Sequence, residues 1–306
     1  MSRQVIVSYI IITCNSGKTL RQTLDSIQQQ TTPKEVIVVD TESDDDTLSI
    51  ARTFKVKIIK DTSGNLATVR NLGLDNSIGK YIAYIDSDVI LFPKWDRRMV
   101  ALLKEDNVAG VGCNWRSTGD SFVENAQDDV VMRHHKIIDT NSLATMNVMY
   151  DKKRIGDTRF DESFSRASED VDFNFQLRAK GYRLLFDADK FIRHHNPRTL
   201  WGLMKKYYNY GKWFIPPYEK HRQERNRSYR LRLLYIFALL FNVIISAIYN
   251  PWVGVLLLQL MMPLFAYVRI TSNATSMIVN VMKYYAHTLG MIVYIVTYDS
   301  KKRVKK

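Results

Sequence analysis

The chain is poor in the residues that form covalent crosslinks. Only two of its 306 residues are cysteines, Cys14 and Cys113, and no CxxC spacing occurs. This argues against a disulfide framework or a cysteine zinc site, and it fits a reducing compartment. Both cysteines are expected to be small core residues at strand ends. No signal peptide is expected, because the N-terminus directly enters a strand-like run, Val5–Cys14.

Acidic residues are scarce in the last third of the chain. Residues 198–306 hold 17 Lys and Arg against 3 Asp and Glu, a net charge of +14, whereas residues 1–197 hold 27 against 28, a net charge of −1. Nucleic-acid binding requires a basic face on the folded domain, so no nucleic-acid partner is expected. Basic residues beside apolar runs indicate membrane lipids with anionic headgroups as partners.

Charged residues are absent from 36 consecutive positions, 233–268. Asn250-Pro251 divides this run into Leu233–Tyr249 and Trp252–Val268, which predicts a transmembrane helical hairpin. Arginines lie on both sides, so the positive-inside rule places both flanks and the preceding domain on the cytoplasmic side of the cell membrane. The alternative is a buried hairpin in a soluble protein. The flanking arginines are Arg222, Arg225, Arg227, Arg230, Arg232 and Arg269.

Residues 269–306 contain a third apolar segment, Met277–Tyr298, which Lys283 and His287 interrupt. A third crossing would expel the basic cluster at 301–306, so an amphipathic helix at the membrane surface with a basic tail is expected. The residues predicted to face lipid are Ile278, Met282, Tyr285, Leu289, Ile292 and Val296.

Residues 1–197 alternate apolar, β-branched runs with segments of helical spacing. This pattern predicts βαβ units and an α/β domain with a mostly parallel sheet. Ligands bind such sheets beyond the carboxyl ends of the strands, where Asn15, Asp40 and Asp86 are expected. The predicted strands are Val5–Thr13, Val36–Val39, Val56–Ile59 and Tyr81–Ile85, and the predicted helices are Gly17–Gln30, Thr47–Phe54 and Ala67–Ser77.

Asp86-Ser87-Asp88 follows the fourth predicted strand and precedes the apolar Val89-Ile90-Leu91. Two carboxylates between hydrophobic flanks are costly to bury without compensation. Hard oxygen ligands at a strand end suit Mn²⁺ or Mg²⁺, which would also bind substrate phosphates. The motif therefore predicts a divalent-cation site at Asp86 and Asp88.

Six segments in this order and spacing resemble the family 2 glycosyltransferases. They are YIIITCN (9–15), EVIVVDTESDDDT (35–47), NLATVRNLG (65–73), YIAYIDSDV (81–89), FDESF (160–164) and EDVDFNFQLRAKGY (169–182). The resemblance implies an inverting transferase that uses a UDP- or GDP-sugar. It also implies the GT-A fold, a Rossmann-like mixed, mostly parallel sheet with helices on both faces, here followed by a C-terminal helical membrane anchor.

The resemblance implies roles for individual residues of the donor site. Asp40 corresponds to the family's base-recognising aspartate, and Glu42 lies beside the nucleotide, although VVDTESDDDT lacks the family's usual second aspartate and glycine. Arg70 and Asn71 lie where the family's helix approaches the donor phosphates. The predicted nucleotide-sugar-binding residues are Thr13, Asn15, Asp40, Glu42, Arg70, Asn71, Asp86 and Ser87.

Glu169 and Asp170 are the candidate catalytic residues. They open an amphipathic helix, where the helix dipole and the backbone donors keep a carboxylate ionised. By resemblance Asp170 is the general base that an inverting displacement on a hydroxyl acceptor requires. The alternative is that Ser168-Glu169-Asp170 only caps the helix.

Two histidine pairs differ in context. His194-His195 ends a predicted strand, Lys190–Arg193, and a histidine there often supplies a third metal ligand in the GT-A fold, so both are candidates. The pairing does not identify which imidazole points inward. His134-His135 has no comparable context and is expected to face solvent.

The region 198–232 interleaves basic and aromatic residues. Arg198, Lys205 and Lys206 are candidates for binding the phosphate of a lipid-linked acceptor, because Lys and Arg donate charge-assisted hydrogen bonds to phosphate. An interfacial anchor with belt aromatics is an equally good interpretation.

The leading hypothesis is transfer of one sugar to a lipid-linked acceptor, either a polyprenyl phosphate or a diphosphate-linked glycan. A processive polysaccharide synthase is the second hypothesis, but no QxxRW-type motif follows the base region. A catalytically inactive membrane scaffold is the third, and the retained aspartates argue against it.

Overall fold

The chain folds into two compact units. The computed structural model describes residues 4–119, 121–131, 136–249, 251–255, 257 and 274–304. Unit 1 contains the chain up to Thr118 and Val131–Asn196, and unit 2 contains Gly119–Val130 and the chain from Pro197 onward. Residues 119–130, predicted to lie in the N-terminal domain, are therefore grouped with unit 2. The His134-His135 pair lies outside the described residues.

Unit 1 is built on a mixed sheet, which has nine strands in the described part of the chain, in the order β3-β2-β1-β4-β8-β6-β9-β5, with β7 paired to β9. The pairs β3-β2, β2-β1, β1-β4 and β6-β9 are parallel, and β8 runs antiparallel between β4 and β6. The pairs β5-β9 and β7-β9 are also antiparallel, so the predicted mixed sheet is confirmed, with four parallel and four antiparallel pairings among the described strands. The strands are β1 Val7–Thr13, β2 Lys34–Asp40, β3 Lys57–Lys60, β4 Tyr81–Ile85, β5 Val89–Ile90, β6 Val108–Ser117, β7 Ile137–Asp139, β8 Asn147–Asp151 and β9 Arg183–His194.

Helices cover both faces of this sheet. Residues on one face of β1, such as Tyr9, pack with α1, α2 and α4, whereas Ile10 on the other face packs with α3, α6 and α7. Both faces are thus buried, which explains why β1 and β4 are apolar at nearly every position. These helices are α1 Leu20–Gln28, α2 Thr47–Arg52, α3 Leu66–Asp75, α4 Trp95–Leu103, α6 Lys152–Ile155 and α7 Glu169–Ala179; α5, Phe122–Val131, lies almost entirely in unit 2.

The longer helices of unit 2 are α8 Leu200–Lys220, α9 Arg227–Ile248 and α10 Ala274–Val304, with a 3₁₀ turn at Arg222–Glu224. Within the described ranges, α9 alone is long and apolar enough to cross a membrane. It contains the first half of the predicted hairpin together with Arg227, Arg230 and Arg232. The second half, Trp252–Val268, is helical at 252–255 and 257 and otherwise lies outside the described residues.

The surface of α10 differs from the prediction. Ile278, Leu289 and Val296 are exposed, but Met282, Tyr285 and Ile292 are half-buried. Of the six residues predicted to face lipid, three are therefore exposed and three are only partly exposed.

The interrupting charges of α10 lie inside unit 2. The Lys283 Nζ is 4.8 Å from the ring centroid of Tyr207 on α8, and the ring centroids of His287 and Phe214 are 5.1 Å apart. Gly211 and Gly290 lie where α8 and α10 touch, and a Cβ at either position would collide with the backbone of the other helix. The polar stripe of α10 faces α8 because these glycines allow close contact along it.

Candidate active site

The Asp86-Ser87-Asp88 motif is joined to the end of the last strand by a short antiparallel ladder. The two residues that follow the motif form β5, in which Val89 pairs with His194 and Ile90 with Arg193. The His195 N–H also donates to the Asp88 carbonyl oxygen, at 3.1 Å. Residues more than a hundred positions apart are thereby brought to one edge of the sheet.

Asp86, Asp88 and His194 offer one ligand atom each, and these atoms lie within 4.8 Å of one another. The His194 Nε2 is 3.3 Å from the Asp88 Oδ1. His194 is only 5 % exposed, whereas both aspartates are half-exposed. Two carboxylate oxygens and one imidazole nitrogen on the solvent side of a buried histidine form a donor set that fits an octahedral divalent cation with room for further oxygen ligands.

A second layer of side chains fixes the orientation of His194. Its Nδ1 lies 2.9 Å from the Asn196 Oδ1, and the Asn196 Nδ2 donates to the Ser117 Oγ at 3.0 Å. The amide oxygen is only an acceptor, so Nδ1 carries the proton and the lone pair of Nε2 faces the aspartates. The ring of His195 points elsewhere, since its Nδ1 is 3.0 Å from the Thr118 Oγ1 and its Nε2 is 3.1 Å from the Gln22 Oε1.

A cleft of about 390 Å³ opens beside these residues at the carboxyl ends of β1, β2 and β4. Its size is in the range of small-molecule sites. Four of the predicted nucleotide-sugar-binding residues line it, and it also contains several residues that the sequence did not single out. The predicted ones are Thr13, Arg70, Asp86 and Ser87; the others include Cys14, Thr41, Asn65 and Ser165.

Asp40 is held rigidly at the end of β2. Its Oδ1 accepts from the Thr13 Oγ1 at 3.0 Å and from the Ser43 Oγ at 2.6 Å, and its Oδ2 accepts from the Ser43 N–H at 3.1 Å. A carboxylate has roughly four acceptor positions, so one of them is not used, but Asp40 is only 1 % exposed and is not among the residues that line the cleft. Asn15 closes the adjacent turn by donating its N–H to the Ser43 Oγ and accepting from the Asp44 N–H. Glu42 is exposed and has a left-handed backbone, with φ 57°.

Helix α3 fastens the 160–165 segment to the cleft. The Asn71 carboxamide donates to the Phe160 carbonyl and accepts from the Phe160 N–H, at 2.8 and 2.9 Å. The Asn65 Nδ2 donates to the Glu162 carbonyl, and the Leu66 N–H donates to the Ser165 carbonyl, both at 2.9 Å. Asn71, predicted to approach the donor, thus uses both ends of its amide to position this segment.

Glu169 and Asp170 have different environments at the start of α7. The Glu169 carboxylate forms an ion pair with the Arg70 guanidinium, and the two residues are only 2 % and 6 % exposed. Asp170 is half-exposed, and its Oδ1 accepts from the Val171 N–H at 2.8 Å. Ser168 precedes the helix with φ 65° and makes no side-chain cap, so simple capping by its hydroxyl does not explain the motif.

A buried aromatic cluster supports this end of α7. The ring centroids of Phe160 and Phe173 are 4.2 Å apart, and Tyr84 and Tyr150 pack edge-on against them. The Tyr150 hydroxyl donates to the Asn174 Oδ1, and the Asn174 amide donates to the Asp170 carbonyl at 2.7 Å. Burial, reinforced by the negative charge of Asp170, raises the pKa of Tyr150 well above its ordinary value, so this phenol stays neutral.

Several residues of the site were not predicted from the sequence. Cys14, expected in the core, is exposed and lines the cleft, because it follows the last residue of β1; Cys113 is buried as expected. Asn196 could have been predicted from the sequence, because it is a polar residue two positions after a histidine that ends a strand. Asn65 could also have been predicted, because it precedes a helical run as an N-cap, accepting from the Ala67 and Thr68 N–H groups.

The candidate acceptor-phosphate residues lie in unit 2. Arg198 is exposed, and its Nε is 3.5 Å from a carboxylate oxygen of the buried Glu124. Lys205 is exposed, and the Lys206 Nζ lies 5.9 Å from the ring centroid of Tyr210. Lys205 and Lys206 lie on the basic, aromatic helix α8 and Arg198 lies just before it, and all three remain candidates.

The glycosyl transferase family 2 domain matches residues 8–164, more than half of the chain. The chain belongs to glycosyl transferase family 2. It is a glycosyltransferase with a GT-A-type fold. The matched range runs from β1 to the end of FDESF, so the Glu169-Asp170 pair and His194 lie beyond it.

Relatives and solved structures agree with this assignment. Glycosyltransferase AglE of Haloferax volcanii is 28% identical over 240 residues, 74% of this chain and 79% of AglE. The poly(ribitol-phosphate) β-N-acetylglucosaminyltransferase TarP of Staphylococcus aureus is 29% identical over 206 residues, 61% of this chain and 62% of TarP. The mannosyltransferase PcManGT of Pyrobaculum calidifontis, solved with GDP-Man and Mn²⁺, superposes with a TM-score of 0.70 at 16% identity, over 95% of this chain and 88% of PcManGT.

Proposed function

We propose that the chain transfers one sugar, with inversion, from a nucleoside diphosphate sugar to a lipid-linked acceptor at the cytoplasmic face of the cell membrane. The observation that carries the proposal is in unit 1. There a cleft of about 390 Å³ is lined by Arg70 and Asp86, and the Asp86, Asp88 and His194 ligand atoms lie within 4.8 Å of one another.

The donor site follows from the polar groups around the cleft. The remaining acceptor position of Asp40 would take an N–H of the nucleobase, and the Arg70 guanidinium would face the diphosphate. Asp86, Asp88 and His194 would hold Mn²⁺ or Mg²⁺, the imidazole ligand favouring Mn²⁺. When bound, the cation supplies positive charge that stabilises the departing nucleoside diphosphate. A GDP-sugar fits the PcManGT likeness, and a UDP-sugar fits that to GalNAc-T7 with UDP and Mn²⁺ (TM-score 0.51, 14% identity, 70% of this chain and 51% of GalNAc-T7).

Asp170 would act as the general base. It lies in the first turn of α7, and its Oδ1 accepts from the Val171 N–H. It is half-exposed, whereas its neighbour Glu169 is buried against Arg70. Asp170 is therefore the carboxylate of the pair that an acceptor hydroxyl would reach.

Unit 2 supports an acceptor at membrane height. Helix α9 has an apolar exposed surface, and the outer side of α10 adds Ile278, Leu289 and Val296. We propose that the 233–268 run forms a two-span hairpin and that Arg198, Lys205 and Lys206 bind the acceptor phosphate. The exposed apolar residues of α9 include Leu234, Phe237, Leu240, Phe241, Ile244 and Ile248.

A donor screen tests the proposal. The full chain, purified in detergent or lipid nanodiscs, is incubated with UDP- and GDP-sugars and Mn²⁺, and nucleotide release is measured with and without membrane lipid extract. We expect release from one donor class that rises with lipid extract and is lost in Asp88→Ala. Release that lipid extract does not stimulate would refute the lipid-linked acceptor, and no release from any donor would refute the proposed activity.

A polymeric acceptor is the second candidate. The TarP relative is named for transfer to poly(ribitol-phosphate), and an anionic polymer would also suit the basic surface of α8. Adding such a polymer in place of lipid extract separates the two acceptors, and the length of the product separates single transfer from processive synthesis.

A further inference from the structure

The Arg70–Glu169 ion pair joins the two sides of the candidate active site. Arg70 is on α3 and lines the donor cleft, and Glu169 precedes the candidate base Asp170 on α7. Both side chains are more than nine-tenths buried. Taking two charges out of water is costly, and such a pair rarely stabilises a fold more than apolar residues would. Its position calls for a functional explanation.

Polar atoms on both sides of the ion pair lack a hydrogen-bond partner. The Arg70 Nε and the Glu169 Oε2 are buried and have no hydrogen-bond partner. Buried polar atoms of this kind are uncommon, and at functional sites they mark groups that wait for a ligand or hold strain. The rest of Arg70 is fixed, because its carbonyl accepts from the Tyr84 hydroxyl at 3.1 Å and its guanidinium carbon lies 5.8 Å from the ring centroid of Phe160.

We infer that Glu169 is a positioning residue, and that its ion pair with Arg70 sets both the location and the electrostatic environment of Asp170. This inference rests on the proposed function. The hydrogen bonds of Asn71, Asn65 and Leu66 already tie α3 to the segment leading into α7, and the ion pair completes this connection beside the base. One short helix thereby carries a donor-site cation and anchors the base.

The charges around Asp170 give the pair a measurable signature. Glu169, which is paired with Arg70, precedes Asp170 on α7, and Asp172 lies two residues further along the helix. On β8, Tyr150 interacts with the Asp170 charge and is itself neutral. Arg70→Met removes the positive charge of the pair, and any negative charge that stays on Glu169 opposes the charge on Asp170. Glu169→Gln would leave the Arg70 cation and make deprotonation of Asp170 easier. The two single changes therefore have opposite effects on the base.

The test is a double-mutant cycle on the full chain. The acid limb of the pH profile of kcat/KM for transfer should move to higher pH in Arg70→Met and to lower pH in Glu169→Gln, and return towards the wild-type position in the double variant. Because the connection to α7 is lost, kcat should stay about 10- to 100-fold low in the double variant. Arg159→Met is the matched control, since it breaks an exposed ion pair with Asp75 at the other end of α3 and should change neither quantity.

A second measurement does not depend on turnover. Hydrogen–deuterium exchange of the peptide 165–175 should be faster in Arg70→Met than in the wild type and unchanged in Arg159→Met. Arg70→Lys and Glu169→Asp keep both charges and should retain the wild-type position of the acid limb. They keep the inference testable if Arg70→Met or Glu169→Gln does not fold. The inference is overturned if both single changes move the limb in the same direction, if the double variant recovers kcat, or if exchange at 165–175 is unaffected. An inactive wild type would instead refute the proposed function, and the exchange experiment would still decide the inference.

Discussion

Removing the side chain that orients His194 should weaken the metal site without removing a ligand. In Asn196→Ala the imidazole loses the acceptor of its Nδ1–H, and Ser117 loses the donor that reaches its hydroxyl. Both the asparagine and the histidine are buried, so water replaces these contacts poorly. The ring is then free to turn away from Asp88.

The size of the effect follows from the loss of one such partner. Substituting a residue that orients a metal-bound histidine typically lowers metal affinity about 10- to 100-fold. This corresponds to about 1.4 to 2.8 kcal/mol of binding free energy. The unpaired buried groups should also lower the stability of the metal-free protein by about 1 to 3 kcal/mol. Asn196→Asp keeps an acceptor at the same place and should bind the cation at least as tightly as the wild type.

Two assays measure this effect. The Mn²⁺ concentration that gives half-maximal nucleotide release should rise about 10- to 100-fold in Asn196→Ala, with kcat recovered at saturating Mn²⁺. Electron paramagnetic resonance of free Mn²⁺ gives the affinity without turnover. His195→Ala is the control, because the ring of His195 is bonded to Thr118 and Gln22. An unchanged Mn²⁺ requirement in Asn196→Ala, together with a raised one in His195→Ala, would refute the assignment of His194.

Three further predictions concern the base, the cleft and the contribution of Asp45 to stability. Asp170→Asn should lower kcat for transfer about 10²-fold or more while leaving the dissociation constant of the donor nucleotide unchanged, as measured by calorimetry. Alkylation of the exposed Cys14 by a maleimide, followed by mass spectrometry, should slow when nucleotide and Mn²⁺ fill the cleft; equal rates would place the nucleotide elsewhere. Hydrogen bonds from Thr47 and from the Gly17 N–H hold the pKa of the Asp45 carboxyl below its ordinary value, so its stabilising contribution is present above about pH 4 and is lost as the pH falls through the lowered pKa. The wild type should therefore have a higher Tm than Asp45→Asn at pH 6, and this difference should disappear as the pH falls through the lowered pKa of Asp45.

The local hydrophobic pattern was sufficient to predict the first part of unit 1, from β1 to β4. The apolar runs of β1 and β4 are long, and the polar residues that end them mark the edge of the sheet where the cleft lies. The four predicted strands and the three helices between them are present, with ends that differ by a few residues. The Asp86-Ser87-Asp88 motif could be placed because it follows a strand that is buried on both faces.

Contacts between distant segments could not be predicted in this way. The pairing of Val89 with His194 decides which histidine faces the aspartates, and a two-residue strand has no periodicity to reveal it. The Arg70–Glu169 pair joins two helices, each of which reads as an ordinary amphipathic segment on its own. Both features depend on tertiary packing, which local propensity does not encode.

The same reasoning explains the burial of the polar stripe of α10. An isolated amphipathic helix at a membrane surface has its polar stripe in water and its apolar face in lipid, and the sequence predicts this arrangement for α10. In unit 2 the stripe meets aromatic rings of α8, and a cation over such a ring is stabilised without a water shell. Lys283 and His287 thus give no reason to keep α10 at the surface of the bilayer. Its exposed Ile278, Leu289 and Val296 add to the apolar surface of α9, and we expect both helices to contact lipid.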